Sequence, residues 1–208
     1  MMAVRLAGIG AAALVVALTL GSLAVVAWHA QGPTRLGVAD WAAIRFTLSQ
    51  ATVSALISTS LAVPVARALA RRRFFGRGAL ITLLGAPFIL PVIVAVIGLL
   101  AVFGRDGLFN QALALLGLHP VSIYGFPGVV LAHVFFNLPL ATRLILQGWQ
   151  QIPAERFRLA AQLGLSGWAV FYHLERPMLR AVLPGLFVTV FLLCLTSFAV
   201  ALTLGGGP

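Results

Sequence analysis

The chain has 208 residues, of which 61% are hydrophobic and 9% charged, with a net charge of +10 and a mean hydropathy of +1.07. A soluble domain carries about a quarter charged residues, so a water-soluble fold is excluded, and five or six membrane spans of about 20 residues fit the length. The positive charge comes from 14 arginines against four acids. No basic stretch is interleaved with aromatic residues for base stacking, so the charge reads as membrane orientation and not as nucleic-acid binding.

The first apolar run, Leu6 to Trp28, is too long for a secretory signal and ends in a poor cleavage sequence, AWHA; it reads as a retained span. The second runs from Phe46 to Ala70, with Arg45 and Arg67 near its ends. A charge at a span centre costs about 2.5 to 3.5 kcal/mol, which places both arginines near the interfaces. The third span is expected over Ala79 to Phe103, and the loop from Gly104 to Gly125 carries NQALALLGL, too short to cross and suited to an interfacial helix. The fourth and fifth spans are expected at Gly128 to Leu146 and Ala181 to Leu204. Pro64, Pro87, Pro91, Pro139 and Pro184 fall inside these segments, which suits kinked helices whose neighbours satisfy the freed carbonyls. The expectation is an all-α integral membrane protein, a single membrane domain over residues 1–208.

With the N-terminus placed in the cytoplasm, eleven arginines fall inside and three, Arg35, Arg45 and Arg105, outside. The positive-inside rule favours that orientation. It puts Arg71 to Arg77 and the long loop before the fifth span in the cytoplasm.

Chemistry is sparse. The absence of lysine excludes the phosphate-binding pattern that ends in Gly-Lys-Ser/Thr, so ATP hydrolysis of that kind needs a partner. Asp40, Asp106, Glu155 and Glu175 all fall outside the expected spans, which leaves no intramembrane carboxylate for a proton relay. Cys194 is the one cysteine, and no catalytic or metal-binding set is expected. His133 and Asn137 lie one turn apart in the fourth span, where they either glue helices together or line a polar pathway. Thr196 and Ser197 are further pathway candidates, with the alternative that their hydroxyls bond back to their own helix.

Between the fourth and fifth spans runs QQIPAERFRLAAQLGLSGWAVFYHLERPMLR. Pro153 suits a first helical position, Glu155 the first turn and Gly164 the end, which predicts a helix of about 11 residues. Ala160, Ala161 and Gly164 recur at helical spacing and would let another protein approach closely.

This stretch, about 148–180, resembles the ATPase-coupling loop of binding-protein-dependent ABC importer permeases, whose motif is Glu-Ala-Ala with a glycine six residues after the acid and a proline thirteen later. Aligned on Gly164, the proline is Pro177 and the second alanine Ala160, but Arg158 and Leu159 occupy the acid and first alanine positions. Together with ILPVIVAVIGLLAVFGRDG, LAHVFFNLPLATRLILQ and the terminal LTLGGGP, residues 46–208 are similar to the first half of the thiamine-importer permeases. The resemblance implies a type I ABC importer core, incomplete at the C-terminus and so a fragment of a two-half permease in the bacterial inner membrane. It implies contact with an ATPase dimer through Glu155, Arg158, Ala160, Ala161, Gly164 and Pro177, and receipt of thiamine or its phosphates from a periplasmic binding protein. No cofactor is expected in the chain, ATP and Mg belonging to the ATPase. A ferric-iron or other small-solute importer is the nearest alternative. From another class, an ATP-independent channel is compatible with the composition.

Overall fold

A computed structural model describes residues 2–29 and 37–205, which are helical apart from turns and short connections; the Arg35 of the orientation count and the last residues of LTLGGGP lie outside them. The described chain divides into two compact units, Met1–Ala42 and Ala43–Pro208. The first contains α1 (Met2–His29), whose side chains from Gly8 onward are exposed and mostly apolar, with Thr19, Ser22 and His29 bonded to carbonyls of the same helix, as suits a helix in lipid. α2 (Val38–Arg71) begins in this unit, where the Gly37 amide donates to Asp40 Oδ2 at 2.8 Å, and continues into the second.

α2 is 34 residues long, more than a bilayer needs. From Arg45 to Arg67 the axial rise is about 33 Å, close to the thickness of the hydrocarbon, so the two cations bracket the crossing segment. Ala51, Ala55, Ala62 and Ala66 lie along one face and are fully buried against Ala141, Ile145, Leu186, Val190 and Cys194. Between helices in lipid there is little hydrophobic drive, so small side chains that allow close backbone approach supply the attraction. Pro64 is carried inside this helix without ending it.

The expected third span is broken. α3 (Arg77–Leu83) ends before a single 3-10 turn, Ala86–Phe88, and α4 (Val92–Phe103) starts only after Pro91. Pro87 and Pro91 both lack the amide that would carry an α-helix through, and their neighbours are held out of helical geometry. α5 (Leu108–Leu115) occupies the segment read as an interfacial helix. Its Asn110 is buried, with its amide group donating to the Gly104 and Val121 carbonyls at 2.7 and 2.9 Å and its oxygen accepting from the Val121 amide at 2.8 Å.

α6 (Phe126–Gln150) is the central helix, with Pro139 inside it. It is followed by α7 (Ala154–Gln162), α8 (Gly167–Val170), a π-turn (Phe171–Glu175) and α9 (Arg176–Leu195). α8, the π-turn and α9 form one winding path, and the apolar stretch long enough to cross runs over Gly167–Leu195. The fifth span therefore begins earlier than Ala181, and Glu175, expected outside the spans, lies within this stretch. Its charges lowered the local hydropathy and hid the helix start. The path breaks at Thr196 and Ser197 before α10 (Phe198–Leu204), so the expected run to Leu204 is two helices.

α6 and α9 pack tightly. A Cβ on Gly148 would stand 2.8 Å from Met178 Sδ and 3.2 Å from Val182 Cγ2. A second core joins Val96 and Leu99 of α4, Ile123, Val129 and Ala132 around α6, and Val200 and Leu204 of α10. Five stretches are long and apolar enough to cross a membrane: Gly8–His29, Val38–Arg71, Val92–Leu115, Phe126–Gln150 and Gly167–Leu195. The third is composed of α4 and α5.

Candidate functional site

The loop between α6 and α8 is short and ordered by its own backbone. Pro153 adopts φ −57°, ψ 137°, so it caps α7 from outside where a first helical position was expected; its carbonyl accepts from the Arg156 amide at 3.1 Å. Nine helical residues follow, fewer than the predicted eleven, because both ends of the counted segment serve as caps. At the far end Gly164 has φ +66°. Its amide donates to the Ala161 carbonyl at 3.1 Å and the Leu165 amide to the Ala160 carbonyl at 3.0 Å. This is a Schellman cap, and it needs the left-handed backbone that glycine adopts most freely. A Cβ there would meet nothing within 4 Å, so the requirement is conformational.

The residues predicted for coupling divide between two faces. Ala160 is 4% exposed and packs into the chain, while Glu155, Arg158, Ala161 and Gly164 are exposed. Leu159 and Leu163 are 56% and 67% exposed, so this non-spanning loop presents apolar side chains alongside small ones, and Trp168, at the start of the fifth crossing stretch, is 74% exposed. Among the described residues no ion pair joins Glu155 to Arg158. Pro177 is exposed near the start of α9. It withholds the amide that an α-helix would aim at the His173 carbonyl, directly after the wider π-turn.

Sequence reasoning missed the group that holds this loop in place. The Glu175 side chain is 0% exposed, and Arg67 Nε donates to its Oε2 at 2.6 Å; Arg71 Nε stands 3.5 Å from Oε1. The same guanidiniums lie over rings of the loop, Arg67 over Phe171 at 5.2 Å and Arg71 over Phe157 at 4.8 Å, and Arg176 over Tyr172 at 4.7 Å. Beside them a cavity of about 370 Å³ is lined by Arg71, Arg77, Trp149, Phe157 and Arg158 among others. The sequence signal was the spacing of Arg67 and Arg71, one turn apart at the end of an apolar helix.

The pathway candidates are placed differently from one another. His133 and Asn137 are 1% and 6% exposed, inside the bundle. Asn137 Nδ2 donates to the His133 carbonyl at 2.8 Å and contacts Cys194 Sγ at 3.4 Å, so it reaches the His133 backbone and not its ring. Both ring nitrogens of His133 lack a partner among the described residues. Thr196 is exposed and its hydroxyl donates back to the Leu192 carbonyl at 3.0 Å; Ser197 is half-buried at the break before α10. A polar line absent from the sequence reading runs along α2: Gln50, Ser54 and Ser58 are buried one turn apart, and Gln50 Nε2 donates to the Cys194 carbonyl at 3.3 Å. No group of three or more His, Cys, Asp or Glu among the described residues could hold a metal ion.

No protein-family model matches the chain. It is 46% identical over 206 residues, 97% of its length, to the thiamine transport system permease protein ThiP of Escherichia coli K12, and 51% identical over 169 residues, 81% of its length, to that of Salmonella typhimurium. The chain belongs to this permease family. It spans 38% and 32% of the lengths of those two relatives. A more distant relative, the sulfate transport system permease protein CysW of Synechococcus elongatus, is 28% identical over 71% of the chain and matches 51% of that protein. Relatives that are transport permeases, together with five apolar crossing stretches, support a multi-pass membrane protein.

Proposed function

We propose that the intact protein is the membrane-spanning subunit of an ATP-driven, binding-protein-dependent importer, with thiamine or its phosphates as cargo. The relatedness to thiamine transport permeases supports the cargo, and the exposed face of α7 and α8 supports the coupling to an ATPase. That face is the observation that carries the reading: Ala161, Leu163 and Gly164 offer small and apolar surface on a segment between crossing stretches, and the exposed Trp168 adjoins them at the very start of the fifth. Such patches mark partner sites on otherwise polar surfaces.

In this reading the N-terminus and the α7 face are cytoplasmic, as the arginine distribution favours. ATP and Mg are held by the ATPase dimer, and the permease chain contributes no group to hydrolysis. Closure of the ATPases pushes on α7, and the push reaches α6 and α9, the two helices the loop joins, whose close packing at Gly148 leaves little slack. On the opposite side a periplasmic binding protein delivers the cargo.

The test is uptake of labelled thiamine by cells lacking only the intact gene, with and without its restoration, and co-purification of an ATPase subunit with the restored permease. Restored uptake that depends on ATP, together with the bound ATPase, agrees with the proposal. Uptake that persists without ATP points to a channel, and restoration of iron but not thiamine uptake overturns the cargo.

A further inference from the structure

The buried carboxylate of Glu175 asks for an explanation that packing does not give. An apolar side chain of similar size would fill the same space, and replacing buried ion pairs by hydrophobic residues is often neutral or stabilising. What the ion pair adds is a fixed geometry. Arg67 and Arg71 leave α2 one turn apart and reach the two oxygens of one carboxylate, which has 0% exposure, at 2.6 and 3.5 Å. Each guanidinium also covers a ring: Arg71 lies over Phe157, which belongs to α7, and Arg67 over Phe171, the first residue of the π-turn. Two arginines of one helix thus grip α7 and the π-turn that leads into α9 at once.

The grip leaves the rest of the loop free: Ala161, Leu163, Gly164 and Trp168 remain exposed. A push on these residues is opposed by contacts to α2, a helix that the loop does not adjoin in sequence.

We propose that Glu175, Arg67 and Arg71 form a clasp that fixes the α7–α8 segment to the end of α2, so that movement received by the loop passes to α2 as well as to α6 and α9. Glu175 acts here as a positioning residue. The inference rests on the coupling role proposed above and adds which helix is driven and by which contact.

The experiment uses the intact permease reconstituted with its ATPase and binding protein in vesicles, on a background without native cysteines. Spin labels at Arg72→Cys and Gln162→Cys, both exposed positions outside the proposed docking surface, report the distance from the end of α2 to α7. In the wild type that distance is expected to be the same with and without trapped ATP and Mg. In Glu175→Gln it should change with nucleotide, and thiamine transported per ATP hydrolysed should fall about 3- to 30-fold with ATPase turnover kept. The double variant Arg67→Lys, Arg71→Lys retains the charge but loses both Nε contacts, and covers the case in which Glu175→Gln does not accumulate; it should show the same two changes. A variant with lowered thermal stability but unchanged label distances and transport per ATP would overturn the clasp and leave the coupling reading standing. Absence of ATP-dependent uptake in the wild type would overturn both.

Discussion

Replacing Gly164 separates two reasons for a glycine at that point. At φ +66° a non-glycine residue pays about 1 to 2 kcal/mol for the left-handed backbone. Alanine recovers about 0.4 to 1 kcal/mol through a less flexible unfolded chain, and it meets no atom within 4 Å. The net cost of Gly164→Ala is then about 1 kcal/mol, roughly a fivefold shift in the population of the capped loop. Asparagine tolerates the left-handed region better than alanine, so Gly164→Asn should cost less even though it is larger. The assay is thermal unfolding of the purified intact permease, followed by titration of the same variants with the ATPase subunit. Both measurements should rank glycine above asparagine above alanine. If alanine binds the ATPase better than asparagine, size at a contact sets the requirement, and the conformational argument is wrong for the bound state.

Three other outcomes follow from packing and polarity. Gly148→Ala should destabilise the permease by about 1 to 3 kcal/mol, because the added carbon falls 2.8 Å from Met178 Sδ, and Met178→Ala in the same chain should recover part of the loss in a denaturation measurement. Trp168→Asp changes a side chain that is 74% exposed, so it should leave thermal stability within about 0.5 kcal/mol while lowering ATPase affinity. Ser54→Ala and Ser58→Ala remove buried hydroxyls that have no partner among the described residues, so each should be neutral or stabilising by up to about 1 kcal/mol. Lost transport at unchanged stability would instead give those hydroxyls a role in the pathway.

Composition and hydropathy sufficed for the number of crossing stretches, since a run of apolar residues constrains a chain in lipid more strongly than any side-chain preference does. Continuity was harder to read. Pro64 and Pro139 sit inside unbroken helices, whereas Pro87 and Pro91 divide a segment of similar hydropathy. The difference is that the second pair comes four residues apart, and neighbouring helices have less scope to satisfy two successive gaps. In the loop, the ends of α7 were legible because caps are local chemistry. The exposed side of α7 was read as one small-residue face, yet Ala160 turns inward and Ala161 outward, a 100° rotation per residue that a motif does not convey. Glu175 was the plainest miss. Its partners Arg67 and Arg71 are more than a hundred positions earlier, and no local pattern announces a contact across that separation.

The position of the one buried acid also bears on the departure from the importer motif. At the motif's acid position stands Arg158, exposed and beside a cavity that Arg71 and Arg77 share. A carboxylate there would lie near Arg71, one of the two arginines that Glu175 draws inward, and would compete for it at the loop's surface. With arginine at that position the competition is absent, and Arg67 and Arg71 are left to the buried carboxylate and the two rings. Arg158→Glu tests this directly. It should weaken the spin-label constancy between Arg72→Cys and Gln162→Cys by drawing Arg71 outward, without the stability loss of about 3 to 5 kcal/mol expected when a buried ion pair loses a partner. If the label distance in Arg158→Glu stays constant with and without nucleotide, the two carboxylate positions are independent and the arginine at 158 has no bearing on the clasp.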